Sequence, residues 1–289
     1  MSASCLASWS STRRAPPVAA TAGPFHTRRV PTVLANGVSL YYEEHGAGEP
    51  VVCIHGTLSS AGLWRDAAAV LGTRARTIVY DRRGFSRSER PEPFVADVHL
   101  HADDAAALID ALAAAPAIVV GRSAGGEIAV DLALRYPDRI RALALLEGGG
   151  LTLGEAAMQW IAAVEEQVFA AAETDVNTVA ETLFRAVAGD AGWGGLRETV
   201  KEELTGNSPA ILADERNGYL DVSAEQLGTI AQPALLVGAK DSPPEFAEVT
   251  NLMAKAMPSA RVEWVEGGHL INPAHPAVLS FVDELLARG

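Results

Sequence analysis

From Pro31 onward the chain alternates short unbroken apolar runs with amphipathic stretches. Val38-Ser39-Leu40-Tyr41-Tyr42-Glu43 follows the turn pair Asn36-Gly37 and predicts a strand, while Val51-Val52-Cys53-Ile54 and Thr77-Ile78-Val79-Tyr80 predict buried strands ending at His55-Gly56 and at Asp81. Ala105, Leu108, Ile109 and Leu112 then recur at helical spacing behind Asp103 and Asp104, acids that favour the positive end of a helix. Ala117-Ile118-Val119-Val120, a helix from about Ala124 to Arg135, and Ala142-Leu143-Ala144-Leu145-Leu146 continue the series. Continuous apolar strands alternating with helices require a mostly parallel sheet covered on both faces, so the fold class is α/β.

The alternation stops between about Gly148 and Gln232. Helical stripes replace it, Ala157, Ile161, Val164 and Val168 in one and Val179, Leu183 and Val187 in another, with glycine punctuation from Gly192 to Gly195. Sheet signals return at Ala234-Leu235-Leu236-Val237-Gly238 and Arg261-Val262-Glu263-Trp264-Val265, and Val278, Phe281, Val282 and Leu285 mark a closing helix. The expected organisation is a core of residues 30–147 and 233–289 interrupted by an inserted helical cap, 148–232. Residues 1–29 stand apart, rich in Ser, Ala, Pro and Thr, with Arg13, Arg14, Arg28 and Arg29 and no acid before Glu43. They predict a disordered tail. Arg13-Arg14 resembles an export signal, but the residues after it lack a sustained apolar run, so the expected location is cytoplasmic.

Composition narrows the function. Apolar residues make up 48% of the 289 and charged residues 20%, which excludes a disordered chain, and no apolar run approaches the ~18 residues of a membrane span. Thirty-six acids against 23 bases give a net charge of −13, which disfavours nucleic acid as a partner. Cys5 and Cys53 are too few for a disulfide scaffold or a cysteine-rich zinc site. A small-molecule substrate is the expected partner, no cofactor or metal is called for, and a homodimer is compatible with the composition.

The sharpest chemical signal is Gly121-Arg122-Ser123-Ala124-Gly125-Gly126, between a strand and a helix. A serine on so tight a turn is lifted above the sheet, and Gly121 and Gly125 are needed because a β-carbon there would collide with neighbouring backbone. The helix start also aims the Ala124 N–H at a reacting carbonyl, and the turn at Gly56 directs the Thr57 N–H into the same space, so the two form a candidate oxyanion hole. A glycine-rich nucleotide loop fits poorly, since neither G-x-x-x-x-G-K-[ST] nor G-x-G-x-x-G is present. Ser123 needs an imidazole oriented by a carboxylate. Of seven histidines, His269 directly follows the last strand, at the sheet edge where open α/β folds keep their sites. His55 reads as a turn-stabilising residue. Two acids follow strands at that edge, Asp241 and Glu147, with Asp241 the preferred partner. His99-x-His101-x-Asp103 imitates part of a metallohydrolase motif, but Asp104 stands where a further ligand histidine is wanted.

With serine, acid and histidine in that order, the chain resembles the α/β-hydrolase superfamily. The resemblance covers residues 31–289 and rests on HG at 55–56, DRRGFSRSE at 81–89, GRSAGG at 121–126, RYPDRIRALALLE at 135–147, GAKD at 238–241 and GGH at 267–269. It implies a triad of Ser123, Asp241 and His269, oxyanion donors Thr57 and Ala124, and a cap over 148–232. Some members, lactone hydrolases of the zearalenone type among them, place the acid where Glu147 falls. The chain departs from the usual pattern at Phe85, where many members have glycine, and at Arg122, where many have His or Gly. Serine rather than aspartate as nucleophile disfavours the dehalogenase and epoxide-hydrolase branches. The resemblance therefore implies hydrolysis of a carboxylic ester or lactone of a small to medium apolar substrate. Acyl transfer or perhydrolysis, C–C bond hydrolysis and a catalytically inactive ligand-binding protein are the alternatives. Trp160 and Trp193 are candidate pocket walls, and most of the apolar stripe is expected to be cap core.

Overall fold

A computed structural model describes residues 31–288, so the tail expected over 1–29 lies outside the described residues. Eight strands form one sheet: β1 (Thr32–Ala35), β2 (Val38–His45), β3 (Pro50–Ile54), β4 (Arg76–Tyr80), β5 (Ala117–Arg122), β6 (Ile140–Leu146), β7 (Ala234–Ala239) and β8 (Ala260–Val265). Their order is β1-β2-β4-β3-β5-β6-β7-β8. β1 and β2 form an antiparallel hairpin through Asn36-Gly37, β2 also runs antiparallel to β4, and the remaining pairs are parallel. The α/β class and its mostly parallel sheet follow the hydrophobic pattern.

Helices cover both faces because successive strand side chains point in opposite directions. Val51 and Cys53 pack with Val79, Val120 and Leu146 against α1 (Ala61–Leu71) and α10 (Pro276–Leu286), burying Trp64, Leu71, Val278 and Phe281. Val52 and Ile54, one step along, turn to the other face with Ile78, Val119 and Leu145. There they meet α2 (Val98–Ala111) and α3 (Ala124–Arg135) through Leu108, Ile109, Ile128 and Leu132. An isolated helix of 11 residues, as α10 is, would be marginal in water. The buried stripe Val278, Phe281, Val282 and Leu285 holds it in place.

Between β6 and β7 the chain forms α4 (Glu155–Thr174), α5 (Val179–Gly194), α6 (Glu198–Gly206), α7 (Ser208–Asn217) and α8 (Ala224–Gly228). This segment has a core of its own, in which Val164, Val168, Leu183, Phe184, Trp193 and Ile211 pack together with Phe85 from the loop after β4. α9 (Pro244–Ala256) follows β7. In the body of the fold, β1 and α1 escape the hydrophobic pattern. β1 is four residues long with only Ala35 buried, and α1 buries mainly alanines, whose contrast with their polar neighbours is weak. Among the described residues no helix is long and apolar enough to cross a membrane.

Candidate active site

β5 and α3 meet at Ser123 with almost no turn between them. Ser123 adopts φ 55°, ψ −129°, a region that costs a non-glycine residue about 1–3 kcal/mol and persists only where its surroundings impose it. The surroundings are tight. A β-carbon on Gly121 would lie 2.3 Å from the Gly125 carbonyl oxygen, and one on Gly125 would lie 2.1 Å from that of Ile54. Ser123 occupies the cap position of α3, yet its side chain makes no capping bond, unlike Ser60 at α1 and Asp97 at α2. Its hydroxyl is free of that duty and lines a cavity of about 60 Å³.

His269 reaches the same cavity from the loop after β8 and is 5% exposed. Its Nδ1 lies 2.9 Å from Glu147 Oε2, at the end of β6. The Glu147 carboxylate also accepts from the Ala239 N–H at 2.7 Å and from the Ser242 hydroxyl at 2.7 Å. These donors fix a carboxylate that is itself buried, and the bond to Nδ1 directs the other ring nitrogen away from Glu147. The Phe246 ring packs on the imidazole with centroids 4.3 Å apart.

Glu147, and not the expected Asp241, meets the imidazole. The Asp241 side chain is exposed, and its backbone N–H donates to the Gly267 carbonyl, so Asp241 ties two loops together rather than facing the imidazole. The reason is local. The last residue of β7 turns the Ala239 N–H toward Glu147, the turn after it brings in the Ser242 hydroxyl, and residue 241 is carried to the surface between them.

Thr57 and Ala124 both line the cavity with Ser123. Ala124 is the first residue of α3, so its N–H has no intrahelical acceptor, whereas the Gly126 and Glu127 N–H groups turn back onto the Ser123 carbonyl at 2.7 and 3.3 Å. His55 is a structural residue, as its position in sequence suggests. Its Nε2 accepts the Arg82 N–H at 3.0 Å, which leaves the proton on Nδ1, donated to the Gly56 carbonyl at 2.8 Å. Burial, with the Arg82 charge nearby, holds its pKa well below the ordinary value, so the ring is neutral. His99 and His101 separate: His99 pairs with Asp131 and His101 with Asp214, both at 3.0 Å.

The two departures from the family pattern have roles in packing. Phe85 stands edge-on to His55 at 5.3 Å and carries the Arg82 guanidinium 4.3 Å above its ring. Arg122, buried so deeply that its pKa is pushed down to about 10, donates to the Ile271 carbonyl at 3.2 Å, tying the strand before Ser123 to the loop that carries His269.

The remaining wall is largely apolar and comes from the inserted segment. Trp160, Ile161, Val164, Leu183 and Val187 face the cavity, while Trp193 packs inside the segment against Phe184 at 5.5 Å. Thus one tryptophan is a wall and the other is core, and more of the stripe faces the cavity than its periodicity suggests. Glu215, Tyr219 and Phe246 line it too, on signals too ordinary to single out in sequence.

A family model described as "alpha/beta hydrolase fold" matches residues 49–276. A putative carbamate hydrolase from Azorhizobium caulinodans is 28% identical over 259 residues, covering 87% of this chain and 96% of that protein. A 2-hydroxymuconate semialdehyde hydrolase from Pseudomonas sp. is 35% identical over 123 residues, 42% of this chain and 44% of that one. Among solved structures, a thermophilic esterase from Thermogutta terrifontis superposes with a TM-score of 0.72 at 22% identity, covering 89% of this chain and 97% of its own. Est816, described as an N-acyl homoserine lactone degrading enzyme, does so with 0.68 at 24%, covering 89% and 99%.

Proposed function

The chain is a hydrolase belonging to the alpha/beta hydrolase fold family, and from that premise we propose that it cleaves a carboxylic ester or lactone of a small to medium apolar substrate through an acyl-enzyme. The observation that carries this reading is the buried Glu147–His269 hydrogen bond and a serine held on a strained turn, with Ser123 and His269 lining one mainly apolar cavity. Glu147 holds the proton on Nδ1, which leaves Nε2 as the base. Ser123 Oγ attacks the carbonyl while its proton passes to Nε2, and the oxyanion that forms is received by the Thr57 and Ala124 N–H groups. A single such donor contributes about 3–4 kcal/mol to the barrier reduction. His269 returns the proton to the leaving alkoxide, and water then repeats the sequence on the acyl-enzyme.

The test compares the wild type with Ser123→Ala on p-nitrophenyl butyrate and on a γ-lactone. The expected result is turnover by the wild type and a loss of several orders of magnitude in the folded variant. Equal rates in the two proteins would end the proposal. A second reading, cleavage of a carbamate or a C–C bond by the same residues, is favoured by what the two relatives are named for. Including an aryl carbamate and a vinylogous 1,5-diketone in the panel separates the two by the ranking of kcat/KM.

A further inference from the structure

Beyond Thr57 and Ala124 a second cavity opens. It shares those two residues, and also Glu215 and Tyr219, with the first, but neither Ser123 nor His269 lines it. Its volume is about 20 Å³. By the same measure one water needs roughly 10–15 Å³, so the space admits one small group. Among apolar neighbours such as Val98 and Ile128, its lining gathers polar side chains from both the body and the inserted segment: Arg82 after β4, His101 on α2, Glu127 on α3, Asp214 and Glu215 on α7, and Tyr219. The Arg82 guanidinium donates to Asp214 at 2.9 Å, and His101 Nε2 meets the other oxygen of that carboxylate at 3.0 Å. Three buried polar atoms on these lining residues have no partner among the described residues: Arg82 Nε, His101 Nδ1 and Glu127 Oε1. The residues that carry them are only 1–2% exposed. Such atoms are costly to bury unless something meets them.

We propose that this cavity is a subsite for the acyl end of the substrate, taking one uncharged group that both donates and accepts hydrogen bonds, a hydroxyl or an amide. The inference rests on the hydrolase reading above for its orientation. The leaving group must reach His269 to be protonated, and His269 lines only the first cavity, so the alcohol portion belongs there. The acyl chain then runs the other way, past the oxyanion donors. Arg82 Nε–H is a fixed donor. His101, whose Nε2 faces a carboxylate, contributes the unpartnered ring nitrogen Nδ1, and Glu127 can serve either way while protonated. An anion is disfavoured because the Arg82 guanidinium is already matched by Asp214. Burial pushes both Glu127 and Glu215 up to about 8, so any rise in pH adds negative charge to the wall. Asp214, which burial alone would raise, is held below its ordinary value by Arg82 and His101.

The experiment measures dissociation constants calorimetrically on the full-length Ser123→Ala protein at pH 7, with ethyl 6-hydroxyhexanoate, ethyl heptanoate and monoethyl adipate. Hydrophobic transfer alone favours the heptanoate. The subsite predicts the opposite order, with the hydroxy ester binding about tenfold more tightly than the heptanoate and the adipate anion binding most weakly. Adding Glu127→Leu, or separately His101→Phe, should reverse the preference in favour of the heptanoate. A heptanoate that binds as well as or better than the hydroxy ester to the Ser123→Ala protein itself overturns the subsite. Wild-type turnover of the same esters is scored separately: inertness toward all of them counts against the hydrolase reading, while the affinity order still judges the cavity.

Discussion

Replacing Glu147 by glutamine is the substitution whose effect the geometry defines most closely. The carboxylate accepts three hydrogen bonds, from the Ala239 N–H at Oε1 and from Ser242 and His269 Nδ1 at Oε2. In the amide, the carbonyl oxygen keeps the Ala239 bond and the NH2 falls where Oε2 stood. It then donates to His269 Nδ1 instead of accepting from it, so the ring proton moves to Nε2 and the base is lost. The opposite amide orientation would set the NH2 against the Ala239 N–H, two donors in contact, and leave that backbone group unsatisfied. In serine proteases the corresponding amide lowers kcat by about 10⁴-fold, equivalent to ~5 kcal/mol of barrier. A loss of about 10³–10⁴-fold is expected here, with KM little changed because Glu147 does not line the cavity. Asp241→Asn should cost less than about threefold, since its side chain is exposed. The assay is steady-state hydrolysis of p-nitrophenyl butyrate, with circular dichroism and melting to confirm folding. A large loss for Asp241→Asn beside a loss below tenfold for Glu147→Gln would refute the assignment.

Gly125→Ala would place a methyl 2.1 Å from the Ile54 carbonyl oxygen. It should lower the melting temperature by more than about 10 °C or abolish soluble expression, and a near-native melt would show that the turn has room to spare. Glu127, neutral in the folded chain up to about pH 8, ionises near its ordinary value of 4.5 once unfolded. The unfolded state therefore binds fewer protons between those values, and stability falls as pH rises from about 4.5 to about 8, then levels off. Glu127→Gln removes that slope, so its melting temperature should gain on the wild type across this window by about 2–4 °C per kcal/mol recovered. A difference independent of pH would contradict the argument. Trp160→Ala opens the apolar wall and should shift the preferred p-nitrophenyl ester toward longer or bulkier chains, read from kcat/KM along a chain-length series. An unchanged ranking would place Trp160 outside the substrate's reach.

Residues 117–135 were legible because three constraints coincide there: an unbroken apolar strand, a glycine-bracketed serine and an amphipathic helix, which the structure bounds at Ala117–Arg122 and Ala124–Arg135. The base was legible for a related reason, as a histidine immediately beyond the last strand has few places to point except the sheet edge. The acid was not. Asp241 and Glu147 both follow strands at that edge, and only the path of the backbone past Ala239 decides which carboxylate turns inward. The polar side chains around the second cavity were equally hidden. They come from the loop after β4, α2, α3 and α7, more than 100 residues apart at the Arg82–Asp214 pair, and each reads singly as an ordinary surface charge. The partition of the stripe between wall and core also escapes periodicity, which identifies an apolar face but not what lies across from it.

The proposed chemistry depends on the reactivity of one hydroxyl. Incubation with a fluorophosphonate, followed by intact-mass and peptide mass spectrometry, should find one adduct per chain, on Ser123, forming in step with the loss of p-nitrophenyl butyrate hydrolysis and absent from the Glu147→Gln protein over the same interval. An unmodified Ser123 in a protein that still hydrolyses the ester, or an adduct at another residue that abolishes activity, would contradict it.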